Sequence, residues 1–369
     1  MNNHKIAYLS CSNSWGGLEM NQLRNALWMK ERGHEVVLVV LPESRIAKEA
    51  KANALPYLEV KPYKKYFDVI SAYRLSRLFS SHRITHLIVR NPHDMSLAAL
   101  VKRFLGSKLF YAYFMEMQLG ISKKDFLHTM RFKAIDLWSC PLPWLVNQVR
   151  DKTKFPQARI VEIPSMLSVK ALQSDISKQE ARALLKLPKQ QVIFGLIGRF
   201  DKQKGQHLLL EAYSKLPKVY QQKVALCFLG EKTVNEADDY YETLLELIKK
   251  EKLENHVFIR PFRKDIATFF KAIDATIMAS KAETFGMVTI ESMACGTPVI
   301  GSNAGGTPEL LNFGEHGLLF EPLNSTDLCQ KLIEFLEQRP AWEKKDLTNI
   351  AFQYDTSNVL PKVEKALQL

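Results

Sequence analysis

From one end to the other, the chain alternates short apolar runs with amphipathic stretches. Near the start KIAYLSC is a β-rich run, SNSWGG breaks it, and LEMNQLRNALWMKERGH carries apolar residues at helical spacing before Gly33 and the run EVVLVVL. Short apolar runs bounded by turn residues read as strands, and a period near 3.6 reads as helix. The result is a β-loop-α-β unit. It recurs as THLIVRNPHD, MSLAALVKRFLG and KLFYAYFMEMQ. Strands that are apolar throughout and alternate with helices indicate a mainly parallel sheet covered on both faces. Residues 1–165 therefore predict one Rossmann-like domain.

After ARIVEIPS the chain turns polar through SVKALQSDISKQEARALLKLPKQQ, which marks a domain crossing, and restarts at VIFGLIG. The alternation then continues: helix HLLLEAYSKL, strand KVALCFLG, helix DDYYETLLELIKKEKL, strand HVFIRPF, helix KDIATFFKAI, strand DATIMAS and a closing helix STDLCQKLIEFLEQ. A second Rossmann-like domain over residues 166–354 follows, with TSNVLPKVEKALQL supplying a terminal helix within 355–369. A chain of 369 residues exceeds what one hydrophobic core organises, which agrees with two domains and a cleft between them.

Composition adds little to the fold and more to the partners. At 46% hydrophobic and 24% charged, the chain is that of a packed globular protein. Cys11, Cys140, Cys227, Cys295 and Cys329 form no CxxC pair and have no His at zinc-ligand spacing, so they read as reduced core thiols. The N-terminus shows no signal-peptide pattern and no apolar run approaches the roughly 18 residues of a membrane span, so a cytoplasmic protein is expected. Net charge is +12, and residues 1–165 hold 25 Lys+Arg against 13 Asp+Glu while the remainder is balanced at 26 and 26. Such asymmetry suits an anionic partner: a phosphorylated acceptor, a membrane surface or nucleic acid. Within that half, KPYKKYFDVISAYRLSRLFSSHR interleaves Phe67, Ile70, Tyr73, Leu75, Leu78 and Phe79 with Lys64, Lys65, Arg74, Arg77 and Arg83. The pattern suits the inner face of an anionic membrane, and a surface helix with snorkelling cations has the same pattern.

Candidate chemistry lies in loops that follow strands, because open parallel sheets bind ligands outside the carboxyl ends of their strands. Gly16-Gly17 opens a helix and permits close backbone approach, although a lone Gly-Gly also serves as a plain turn. No GxGxxG or Walker sequence is present, which disfavours a nicotinamide enzyme or a P-loop NTPase. In GLIGRFDKQKGQH, Arg199 offers a planar fork and Lys204 a mobile point charge, a pair able to grip a diphosphate; the alternative is a solvated polar loop. In KAETFGMVTIESMACGTP, Glu283 precedes a helix whose first residues, Phe285, Gly286 and Met287, present backbone N–H groups to an anion. Glu291 stands about one turn into that helix. Eight residues apart, the two carboxylates do not share a face and address different parts of one extended ligand. Carboxylates suit sugar hydroxyls, which donate charge-assisted hydrogen bonds to them.

GRFDKQKG, the stretch AETFGMVTIE with its two glutamates, and SMACGTPVIGSNAGGTPELL together resemble the retaining GT-B glycosyltransferases of the large GT4-type family, and SNSWGGLE resembles that family's Gly-Gly loop. The resemblance implies two Rossmann-like domains facing each other across a deep cleft, the first binding acceptor and the second a nucleotide-sugar donor, with residues 355–369 packing back on the first. It implies that Arg199 and Lys204 hold the donor diphosphate, that Glu283 contacts sugar hydroxyls and that Glu291 binds the ribose. Backbone from Phe285 through Gly286 and Met287 to Val288 would meet sugar and phosphate, Gly16 and Gly17 would approach the diphosphate from the other domain, and Arg263 in RPFRKD would border the base. Two departures stand out. Where many relatives place a His after the strand matching KLFYAYF, this chain has Met115 and Glu116, leaving Glu116 or His93 as acceptor-side candidates or as structural groups. The usual Pro-Asn-Gly at the crossing is replaced by Pro164-Ser165-Met166.

The expected reaction is glycosyl transfer with retention, from a UDP-sugar in preference to a GDP-sugar, to a glycan or lipid-linked acceptor in cell-surface polysaccharide or lipopolysaccharide synthesis. No DxD sequence occurs, so no metal and no other cofactor are expected. The rival reading is a catalytically silent sugar-nucleotide-binding or scaffold protein of the same fold. A GT-B-fold epimerase is disfavoured by the paired glutamates, and nucleic-acid binding by the lack of any recognisable module.

Overall fold

A computed structural model describes residues 4–232, 240–338 and 344–369. The chain divides into two compact units, Met1–Pro164 with Val359–Leu369, and Ser165–Asn358.

The first unit holds seven strands: β1 (Lys5–Ser10), β2 (Glu35–Val40), β3 (Tyr57–Glu59), β4 (His86–Val89), β5 (Phe110–Phe114), β6 (Leu137–Cys140) and β7 (Ile160–Glu162). They form one parallel sheet in the order β3-β2-β1-β4-β5-β6-β7. Central strand β1 pairs on both sides, Ile6 with Val36 and with His86. Ile6, Ala7, Tyr8 and Leu9 are all buried. A strand covered on both faces has no solvent side to mark with polar residues, which is why these strands read as unbroken apolar runs.

The second unit holds β8 (Val192–Ile197), β9 (Val224–Gly230), β10 (Val257–Pro261), β11 (Ala275–Met278), β12 (Val299–Ser302) and β13 (Leu318–Phe320), again parallel, in the order β10-β9-β8-β11-β12-β13. In each sheet the strand order reverses once, between β1 and β4 and between β8 and β11. Chain connections leave such a switch point toward opposite sides, so the loops beyond it diverge and leave room for a ligand.

Several elements escape the periodic reading. Strands β3, β6, β7, β12 and β13 have three or four residues each, too few to show a period. The helices Arg45–Ala52, Pro143–Lys152 and Lys344–Phe352 were likewise not distinguished. The polar stretch after the crossing belongs to the second unit and contains the helices Val169–Leu172 and Lys178–Leu184. The second is entered through a capping box between Ser177 and Glu180, a pattern that satisfies exposed N–H groups at a helix start. Arg182 looks like surface charge in the sequence but is buried, its guanidinium donating to Asp274 Oδ2 at 2.6 Å and to the carbonyl of Ala272 at 2.9 Å. Asp238 and Asp239, read as the start of a helix, lie outside the described residues; that helix is described as Tyr240–Lys250.

The chain returns to the first unit through the helix Thr356–Leu367. Its start is tied to the second unit, where Thr356 N–H donates to Leu167 O at 2.9 Å and the Asp355 carboxylate accepts from Val169 N–H at 2.8 Å. Its end is held in the first. Arg32 donates to both oxygens of Glu364 at 2.6 and 2.7 Å, and His34 Nε2 lies 2.8 Å from the same carboxylate. Val359, Leu360, Val363 and Leu367 are buried beside these polar contacts.

Candidate functional site

The two loops singled out in the second half follow β8 and β11, adjacent strands at the switch point of the second sheet. Their approach is close. Gly205 sits in the left-handed region at φ 76, and a Cβ there would lie 2.3 Å from the carbonyl oxygen of Ala279. No residue with a side chain fits without moving backbone. Lys281 N–H donates to Gln203 O at 3.1 Å, which laces the second loop to the first, and the buried Gln206 side chain donates to Arg199 O at 2.9 Å, which braces the first.

This lacing brings Lys204 to Glu283. Lys204 Nζ donates to Glu283 Oε1 at 2.6 Å and Ser280 Oγ donates to the same oxygen at 2.7 Å. Glu283 Oε2 accepts no hydrogen bond from the described residues. Burial pushes the Glu283 carboxyl upward, but the charge and hydrogen bond of Lys204, with the Ser280 hydroxyl, outweigh it and hold the group below the usual carboxylate range. The backbone of Glu283 is fixed as well: Gly306 N–H donates to its carbonyl at 2.8 Å, and a Cβ on Gly305, at φ 65, would lie 2.2 Å from that oxygen. Arg199 is exposed on the same loop as Lys204, and its guanidinium has no partner among the described residues.

Gly286, at φ 99, opens the helix Met287–Ala294, and no side chain caps that helix. Glu291 is its fifth residue and is buried. The Phe285 side chain is buried edge-on against Tyr354, with ring centroids 5.7 Å apart, and Val288 packs on the apolar cluster around Phe270. Met287 is half-buried. Arg263 stands apart from this group, on the loop after edge strand β10, and its guanidinium braces the entry of the helix Ile266–Ala272 through Asp265 O at 2.9 Å and Asp265 Oδ2 at 3.1 Å.

In the first unit Gly16 precedes the helix Gly17–Glu31 with extended backbone, and its N–H donates to Glu19 Oε2 at 3.0 Å. A Cβ on Gly17 would meet nothing within 4 Å. Neither backbone strain nor packing requires glycine at either position. Glu116 follows β5 and is held in a buried pair with Arg90, while Asn21 Nδ2 donates to its other oxygen at 3.1 Å. Burial raises its pKa, and Arg90 with Asn21 offset that only in part. Close by in the strand order, after β4, Asp94 is fully buried, accepting from Tyr63 OH and, at 3.1 Å, from Cys11 N–H. Burial raises Asp94 to about 6 against the pull of these hydrogen bonds. His93, one residue earlier, is exposed, with its N–H on Asn91 Oδ1 at 3.0 Å.

Sequence reasoning missed Ser280, Gly305, the Arg90 partner of Glu116 and the buried Asp94 with its Tyr63 contact. The Gly305-Gly306 pair after a strand was the available signal; a lone Ser, Asp or Tyr carries none. No helix among the described residues is long and apolar enough to cross a membrane.

Residues 177–352 match the family model described as glycosyl transferases group 1, a match that contains both laced loops and the helix Met287–Ala294. Over 167 residues the chain is 31% identical to a D-inositol 3-phosphate glycosyltransferase of Mycolicibacterium smegmatis, covering 45% of this chain and 37% of that protein's length. Among solved structures, the fold is similar to a glycosyltransferase from Rickettsia africae ESF-5, with a TM-score of 0.87 and 19% identity over 100% of this chain and 98% of the other. It is also similar to Anabaena Alr3699/HepE in complex with UDP, with a TM-score of 0.85 and 19% identity over 99% of each chain. Residues 177–352 are thus similar to the group 1 glycosyl transferases, and the chain as a whole shares the GT-B fold of these solved glycosyltransferases.

Proposed function

We propose that this protein transfers a sugar from a nucleoside diphosphate sugar to an acceptor hydroxyl with retention at the anomeric carbon. The observation that carries the reading is the Lys204–Glu283 pair at the β8/β11 switch point, with one carboxylate oxygen uncommitted, an unpartnered Arg199 on the same loop and an uncapped helix N-terminus three residues on. Glu283 Oε2 accepts from donor-sugar hydroxyls, Glu291 serves the ribose, and backbone from Phe285 to Val288 meets sugar and phosphate. As the bond from the anomeric carbon to the phosphate oxygen breaks, Arg199, Lys204 and the helix N-terminus stabilise the departing diphosphate, the work a divalent metal does elsewhere. The acceptor oxygen bonds to the anomeric carbon on the face the phosphate leaves, and its proton passes to the leaving phosphate oxygen.

UDP is the preferred nucleotide in this reading; its support is the UDP and UDP-glucose complexes of HepE. The acceptor is a glycan or lipid-linked sugar in polysaccharide or lipopolysaccharide synthesis, supported by the basic excess of the first 165 residues. Such an acceptor would bring the first unit to the inner, anionic face of a membrane. A second reading, a sugar-nucleotide-binding protein without transfer, is favoured by Glu116 standing where relatives carry a His and being spent on Arg90.

The test is a thermal-shift screen of UDP-, GDP- and ADP-sugars followed by turnover. A ligand at 100 times its Kd stabilises the native state by about 2.7 kcal/mol. Lys204→Ala and Glu283→Ala are each expected to lower turnover by about 10²–10³ while melting as folded proteins. Normal turnover in both would sink the assignment; donor binding without transfer to any glycan or lipid acceptor would favour the second reading.

A further inference from the structure

The helix Val69–Ser81 buries one stripe, Ala72, Leu75, Ser76 and Phe79, against the first unit. Ile70, Tyr73, Arg74 and Arg77 recur at the same helical spacing on the outward side. A face that only met water would be polar along its length. Here its first half is apolar: Ile70 is 67% exposed, Phe67 63%, and Tyr66, Val69 and Tyr73 are each more than half exposed. Phe104, exposed on the neighbouring helix Met95–Leu105, lies edge-on to Tyr73 with ring centroids 5.8 Å apart, so the apolar area extends over two helices. Phe67 has φ 55, a conformation uncommon for a bulky residue, and the fold keeps its ring outside.

Charge surrounds this area with one sign. Lys61, Lys64 and Lys65 precede it and Arg74 and Arg77 follow, and the only acid within 61–77 is Asp68. The Asp68 carboxylate is already spent on the backbone N–H groups of Ser71, at 3.0 Å, and Lys64, at 2.9 Å. From Tyr66 to Arg77 every exposed residue is aromatic, aliphatic or arginine. A protein partner would be met by directional polar groups among the apolar ones. A lipid surface asks only for apolar and aromatic side chains at headgroup depth and cations for its phosphates.

We propose that this face, led by Tyr66, Phe67, Ile70 and Tyr73 and rimmed by the five cations, docks the first unit on an anionic membrane. The inference deepens the reading of a lipid-linked acceptor, but binding is read without turnover, so either can fail alone. The experiment is flotation of the full chain with phosphatidylcholine vesicles containing or lacking phosphatidylglycerol. The wild type should float with the anionic vesicles alone and be released by salt. Arg74→Gln with Arg77→Gln should weaken binding roughly 30-fold, and Ile70→Glu with Tyr73→Glu should abolish it, both without change in melting temperature or in the shift produced by a nucleotide sugar. Wild type left in solution beside anionic vesicles, or variants that float like wild type, would overturn the proposal. So would a wild-type dimer that these variants convert to monomer, because a second copy would then own the face.

Discussion

Glu283 owes its charge to its neighbours. Burial favours the neutral acid, and Lys204 with Ser280 reverses that preference, leaving the folded-state pKa below the ordinary 4.5. A depressed pKa contributes stability that is present above 4.5 and lost as pH falls through the folded value. Donor affinity that depends on this carboxylate should therefore persist through pH 4.5 and fail only as pH falls through the lower folded-state value, and Glu283→Gln should remove that acid limb in a titration of nucleotide-sugar binding. Asp94 has the opposite sign. Its folded pKa of about 6 stands above the ordinary 3.8, so its contribution is full below 3.8 and lost as pH rises through about 6, a swing of about 3 kcal/mol at most. The melting temperature of Asp94→Asn relative to wild type should accordingly climb between pH 4 and pH 7; a constant difference would refute the buried-carboxyl account. Of these residues, Lys204 and Glu283 were legible because charged groups beside glycines after a strand are unusual. Asp94 was not, because nothing in RNPHD marks its carboxylate as buried beneath Tyr63.

At the scale of elements, glycine separates structural need from open space. Gly205→Ala forces a side chain into the left-handed region, costing about 1–2 kcal/mol, and drives its Cβ against Ala279 O. It should lower both melting temperature and turnover by shifting the Lys204 loop off the Glu283 loop. Gly17→Ala enters open space at a helix start, where alanine is the better helix former. It should leave melting unchanged or higher, so any loss of turnover would report a ligand contact and not a misfold. The terminal helix supplies a second contrast. Glu364→Ala removes a partly exposed ion pair worth up to about 1 kcal/mol, whereas Leu360→Ala empties a buried site and should cost about 2–5 kcal/mol by urea unfolding. Long strands such as β1, β2, β8 and β9 were readable because four or more consecutive apolar residues can only be buried. The three-residue strands owe their conformation to the neighbour that pairs with them and leave no signature of their own.

For the whole molecule, separate apolar cores in the two units predict more than one unfolding step, since chains with more than one core depart from two-state unfolding. Calorimetry should resolve two transitions, and a saturating nucleotide sugar should raise the one belonging to Ser165–Asn358 and leave the other in place. One merged transition, shifted as a whole, would show that the units unfold together. The charge asymmetry between the halves was fully legible, because counting charges needs no structure. Which outward face gathers the cations around apolar residues was not, because Leu75 and Phe79 look as apolar in sequence as Ile70 and Tyr73 and only packing sorts the buried from the exposed.

By itself the sequence determined the α/β alternation, since parallel strands covered on both faces must be apolar throughout, and it marked Arg199, Lys204, Glu283 and Glu291 as candidates, since charged groups in glycine-bearing loops after strands are unusual. The tertiary structure decided which of those residues meet. Lys204 and Glu283 are 79 positions apart and become a pair because β8 and β11 are neighbours in the sheet, and Glu116 meets Arg90 because β4 and β5 are. Strand order is a long-range choice settled by packing of the whole unit, and no local period in the chain encodes it.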